Sequence, residues 1–234
     1  MAVVVLTSAG HAPGVTTTAL GLALAWPRPV LLVDADRTPT QAVLAGYLRG
    51  EHPGQRGLGR LLQAVRERRG IAEVLDDETI ELPPLLASDE PPRLLPGFPH
   101  PGVVDLFATA WPDLMAALTA RDGDVLIDAG RIGAEGLPAA VTQRADLVLV
   151  VTAGTTHLIV PDGWAVDVSS LQSTVSMMSV TGVRTRPKPG LPRIVVRGQT
   201  NGGVYVRRTN DRDRKRAAKH LAQNRGTPPA LPRA

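Results

Sequence analysis

The sequence of 234 residues contains no cysteine, which excludes disulfides and thiolate-bound metal and fits a cytoplasmic protein. Aromatic residues make up only 3%, so a core must be assembled from Val, Leu, Ile and Ala. Lysine is almost missing: three Lys stand against 23 Arg, and none precedes Lys188. With so strong an arginine bias, abundant Arg is weak evidence for a function. No apolar run approaches the roughly 20 residues of a membrane span. Met1 to Leu6 is too short for a signal-peptide core and runs straight into a loop.

A hydrophobic content of 43% is that of a folded chain, and the length suits one α/β domain with extensions. The net charge of +4 hides an asymmetry. Residues 1–180 carry 12 Arg against 20 Asp and Glu, whereas residues 181–234 carry 14 Lys and Arg against 2 Asp. An acidic body with a basic end points to an end that meets something anionic.

The most informative stretch is Val3 to Thr18, VVVLTSAGHAPGVTTT. A β-branched run, a loop holding Gly10 and Gly14, and an apolar helical pattern from Ala19 follow one another. Strand, glycine-bearing loop and helix N-terminus form an anion cradle, because the first helical N–H groups lack intrahelical acceptors. The order is that of a phosphate-binding loop, G-x-x-x-x-G-K-[ST]. Aligned on Gly14 and Thr16, the first glycine becomes Ala9 and the lysine becomes Val15. The scaffold is expected without its phosphate-binding cation, and Arg37 and Arg131 are the candidates to replace it.

Val30 to Val33 reads as a second buried strand ending on Asp34-Ala35-Asp36, at the edge where open α/β sheets bind ligands. Thr40 is expected to cap a helix over Gln41 to Leu48, and a further helix spans Leu58 to Arg69. Arg93 to Gly97 reads as a short strand and turn. Apolar residues recur with helical spacing from Val103 to Ala120. Asp124 to Arg131, DVLIDAGR, is an apolar strand ending in an acid and small residues, a Walker B arrangement whose acid holds Mg²⁺ directly or through water. Leu137 to Ala145 is expected as a helix and Asp146 to Val151 as a strand. The alternation argues for parallel strands and right-handed crossovers.

SAGHAPGVTTTALGLAL, VLLVDAD, RLLPGF, DVLIDAGR and ADLVLVV, in this order, resemble the ParA/MinD-type partitioning ATPases, in a divergent branch whose loop reads G-S-P-G-V-T-T-T-A. The resemblance covers about residues 1–155. It implies an α/β fold with a mostly parallel sheet and flanking helices, and ATP and Mg²⁺ as cofactors. It implies nucleotide contacts from Gly10, His11, Ala12, Pro13, Gly14, Val15, Thr16 and Thr17, metal contacts from Thr16 and Asp128, and Asp36 as the acid that orients the attacking water. A homodimer is the expected assembly. Gly10 and Val15 stand where the family carries its lysines, and Asp36-Arg37-Thr38-Pro39-Thr40 replaces the usual D-P-x-G-G, so binding with little or no hydrolysis is the expectation. A pseudo-ATPase scaffold is the alternative.

Past residue 155 the composition changes, marking either a native extension or a mosaic end. Residues 194–207 read as a β-hairpin around Asn201-Gly202-Gly203. Residues 209–234 form a basic tail, helical at first and Pro-rich at its end. Seven cations within 207–219 give it the footprint of a non-specific DNA contact.

Overall fold

The computed structural model describes residues 1–8, 14–52, 54–84, 90–132, 136–151, 156–160, 164–169, 171–173, 178–181, 183, 185, 193–196, 198–200, 204–212 and 215. Along the first two thirds run β1 (Val3–Ser8), α1 (Val15–Leu24), β2 (Val30–Asp34), α2 (Leu58–Arg66), α3 (Ile71–Val74), β3 (Ile80–Glu81) and β4 (Arg93–Leu95). There follow α4 (Pro101–Leu106), α5 (Trp111–Ala120), β5 (Asp124–Arg131), α6 (Ala139–Arg144) and β6 (Leu147–Val151). Seven further strands are β7 (Thr156–Val160), β8 (Ala165–Asp167), β9 (Leu171–Ser173), β10 (Met178–Thr181), β11 (Arg193–Val195), β12 (Gly198–Thr200) and β13 (Val204–Arg208).

Eight strands make the main sheet in the order β3-β4-β2-β5-β1-β6-β11-β8. Every pairing in it is parallel except that of β3 with β4. Parallel strands covered on both faces read as continuous apolar runs, as β1, β2 and β5 do. Their alternation divides the core in two. Val3, Val5, Leu31, Val33, Val125 and Ile127 pack with residues of α2 to α6. Val4, Leu6, Val30, Leu32 and Leu126 pack with Val15, Ala19 and Ala23 of α1 on the other face. Leu6, Leu32 and Leu126 are at most 1% exposed, and each contributes about 1.5–3 kcal/mol of burial. With so few aromatics, the sole ring cluster is small among the described residues. Phe98, Phe107 and Trp111 meet edge to face with centroids 5.1 to 6.3 Å apart.

The structure departs from the sequence reading in four places. The stripe from Val103 to Ala120 is core-facing, but its two halves are bent by 76°. Pro112 lies in the first turn of α5, where its missing N–H costs nothing, and it cannot continue a helix from upstream. Thr40 caps nothing: Val43–Tyr47 is a short π-helical turn led by Ala42, and Gln41 has φ 49, outside the helical region. The main sheet does not end near residue 155, because β11 and β8 extend it beyond β6.

The fourth departure is the hairpin over 194–207, which does not form. β11 lies in the main sheet between β6 and β8, whereas β13 pairs in parallel with β10 and β7 in a second sheet. The five-residue ladder of β13 with β7, and burial of Val204 and Val206 against Val160 and Val196, outweigh the local turn signal. β9 and β12 form a separate parallel pair. Most of the basic tail lies outside the described residues. No single helix among the described residues is long and apolar enough to cross a membrane.

Candidate functional site

β1 and α1 deliver the glycine loop to the C-terminal edge of the sheet. Gly10, His11, Ala12 and Pro13 lie outside the described residues. Gly14 is the N-cap of α1 with φ 108, a left-handed conformation that a β-carbon would strain, and Thr18 donates the first helical hydrogen bond to its carbonyl at 2.8 Å. Among the described residues no side chain caps this end, and no acid occupies its first turn. The N–H groups of Val15, Thr16 and Thr17 are therefore available to an anion. Val15 is 6% exposed and packed among Val4, Leu6 and Ala19. Position 15 thus belongs to the core.

Beside this helix end stand three acids: Asp34 at the end of β2, Asp36 two residues beyond it, and Asp128 in the adjacent β5. Asp34 and Asp128 are direct register partners across β2 and β5. The N–H of Asp36 donates to Asp34 Oδ1 at 3.3 Å, and Asp36 Oδ1 accepts from the Thr38 N–H at 2.8 Å. Asp128 is 2% exposed; its Oδ1 accepts from the Gly130 N–H at 2.9 Å, while its Oδ2 is buried without a hydrogen-bond partner. The Thr16 side chain lies close enough to lower the Asp128 pKa.

Burial makes Asp34 and Asp128 reluctant to ionise. Desolvation, then the charge of Asp128, pushes Asp34 up to about 7, with the Asp36 N–H acting the other way. Asp128 is also raised, first by desolvation, against the opposing effects of Thr16 and the Gly130 N–H. Two glycines let the carboxylates sit this deep. A β-carbon on Gly97 would lie 2.7 Å from the Asp34 carboxyl carbon, and one on Gly130, where φ is +56, would overlap the Asp36 carboxylate.

The two candidate replacement cations lie elsewhere. Arg37 and Arg131 line a cavity of about 20 Å³ with Trp111, Leu137 and Val141, on the face covered by α5 and α6. Arg37 Nη2 is 3.3 Å from Asp105 Oδ1. α1 packs on the opposite face through Val15, Ala19 and Ala23. Among the described residues no group of three acids or histidines is placed to hold a metal alone. The donor set is one carboxylate and one hydroxyl, which suits Mg²⁺ held jointly with phosphate oxygens.

The sequence reading placed Thr16, Asp36 and Asp128 together, and the structure brings them to one edge. It gave Asp34 no role of its own. Asp34 faces Asp128 across neighbouring strands, the one at the end of β2 and the other within β5.

No family model matches the chain, and no curated protein matches it. Solved structures do. The septum site-determining protein MinD of Pyrococcus horikoshii OT3, complexed with Mg-ADP, is 21% identical over 65% of this chain and 58% of its own, with a TM-score of 0.46. A Cyanothece McdA variant in complex with ATP is 20% identical over 67% of this chain and 58% of its own, at 0.46. Cobyrinic acid a,c-diamide synthase of Mycobacterium smegmatis, with bound ADP and magnesium, is 22% identical over 65% and 60%, at 0.40. The chain thus spans less than two thirds of the length of each. Over about two thirds of its own length it is similar to these three structures.

Proposed function

We propose that residues 10–17, together with Asp128 and Asp36, bind ATP and Mg²⁺, with little or no hydrolysis, in a partitioning- or positioning-type process. The observation that carries this reading is Asp128: a buried carboxylate with an unpartnered Oδ2, beside Thr16 at an uncapped helix N-terminus. A buried acid without a counter-charge is costly unless it serves a cation. Mg²⁺ would neutralise phosphate charge there, held by Thr16 and Asp128. The helix N–H groups of residues 15–17 orient the phosphates, and Asp36, fixed by the Thr38 N–H, stands ready to orient a water. Slow turnover follows from Val15, which offers the developing charge an isopropyl group buried in the core instead of an ammonium.

Thermal melts with millimolar ATP and Mg²⁺ test the binding. A raised melting temperature is expected, by linkage of ligand to the native state. Gly14→Glu should abolish it by filling the phosphate position with bulk and negative charge. No shift for the wild-type protein would refute nucleotide binding and leave the pseudo-ATPase scaffold.

A further inference from the structure

On the α2 and α4 side of the sheet lies an open groove of about 600 Å³ that the nucleotide reading does not use. One wall is a single stripe of α2: Gly59, Leu62 with Gln63, and Arg66, at helical spacing. The other is Pro99, His100, Val103 and Leu106, a stripe along α4. The walls meet at one end, where a β-carbon on Gly59 would lie 3.0 Å from Pro99 Cγ.

The chemistry of the two stripes is complementary to one kind of occupant. Arg56, Arg60 and Arg66 line the groove and no acid does, although the body of the chain is acidic overall. Internal contacts leave this charge largely in place. Arg56 Nη1 donates to the Thr79 carbonyl at 2.8 Å, Arg60 Nη1 to Gln63 at 2.6 Å, and Arg60 Nε is 4.0 Å from Glu78. The floor is apolar, with Leu62 and Val103. Leu106 at the rim is 52% exposed, one of two large apolar side chains so exposed among the described residues.

We propose that this groove docks an acidic amphipathic segment of a partner protein, its apolar side against Val103 and Leu106 and its carboxylates against Arg56, Arg60 and Arg66. A trough between two helix faces is the shape that receives one more helix or extended segment. Guanidinium groups recognise carboxylates bidentately. A nucleic-acid backbone would use the arginines and leave the apolar floor idle. The proposal is independent of nucleotide binding.

The test uses the full-length protein and two labelled helical peptides with the same leucine spacing, one bearing Glu and the other Lys on its polar face. Fluorescence anisotropy should report saturable binding of the Glu peptide and none of the Lys peptide. The double change Arg60→Glu with Arg66→Glu places like charges together and should weaken binding about tenfold or more. Leu106→Ser should weaken it as well, while both variants keep the wild-type far-UV spectrum and any ATP-induced thermal shift. Equal binding of both peptides, binding unchanged by the charge reversal, or no binding of the Glu peptide would overturn the proposal. So would competition by duplex DNA through the same arginines with Leu106→Ser without effect.

Discussion

Asp34→Asn is the sharpest probe of the acidic edge. In the folded protein burial and Asp128 raise Asp34 from the ordinary 3.8 to about 7. Because the folded value lies above the unfolded one, stability is fully present below about pH 4 and falls as pH rises through 7. That difference is worth about 4 kcal/mol at ~1.36 kcal/mol per tenfold change. Asparagine keeps the shape against Gly97 and an oxygen for the Asp36 N–H, and it does not titrate. Without metal or nucleotide, the variant should match the wild-type protein near pH 4. It should exceed it by up to about 4 kcal/mol above pH 8, or about 8–16 °C in Tm for a chain of this size. Urea unfolding from pH 4 to 9 in EDTA measures both curves. Parallel curves would refute the reasoning, for then Asp34 would ionise with equal ease folded and unfolded.

Asp128→Asn should leave the fold intact and remove the Mg²⁺-dependent part of any ATP thermal shift, read by melts with and without EDTA. Val15→Lys puts an ammonium into the apolar cluster around Leu6 and Ala19, so it should lower the nucleotide-free Tm and raise ATP turnover where the lysine reaches a phosphate; Asp36→Ala should then remove the gain, as a phosphate-release assay would show. Gly130→Ala adds a β-carbon at φ +56 against Asp36 and should cost about 1–3 kcal/mol by chemical denaturation. If the basic tail meets DNA phosphates, binding by the full chain should fall linearly on a log–log salt plot and be lost in a chain ending at Gly182.

Much of the fold was legible because the runs VVVL, VLLV and VLI have no polar interruption, and a strand with that pattern is covered on both faces. The meeting of Thr16 with Asp128 followed from the same order of elements. The fate of Arg37 and Arg131 was not legible. Each directly follows or closely trails an acid of the site, but the sheet separates them from α1. Adjacency in sequence says little about side when successive side chains alternate faces. The failed hairpin at 194–207 has a related cause: Asn201-Gly202-Gly203 is a local signal, and the strands beside it found better partners in two different sheets.

The main sheet also tapers. Among the described residues β1 joins β6 through five register pairs and β6 meets β11 through one, Leu149↔Val195. Every residue of β6 is only partly covered, whereas β1 is buried throughout. Because β6 is only partly covered, it and the strands beyond it, β11 and β8, form a margin that opens ahead of the buried centre. Amide exchange should be slowest at Leu6, Leu32 and Leu126, faster through β6 and fastest at β11 and β8. Limited proteolysis would then trim that margin while the edge bearing Asp34, Asp36 and Asp128 stays closed.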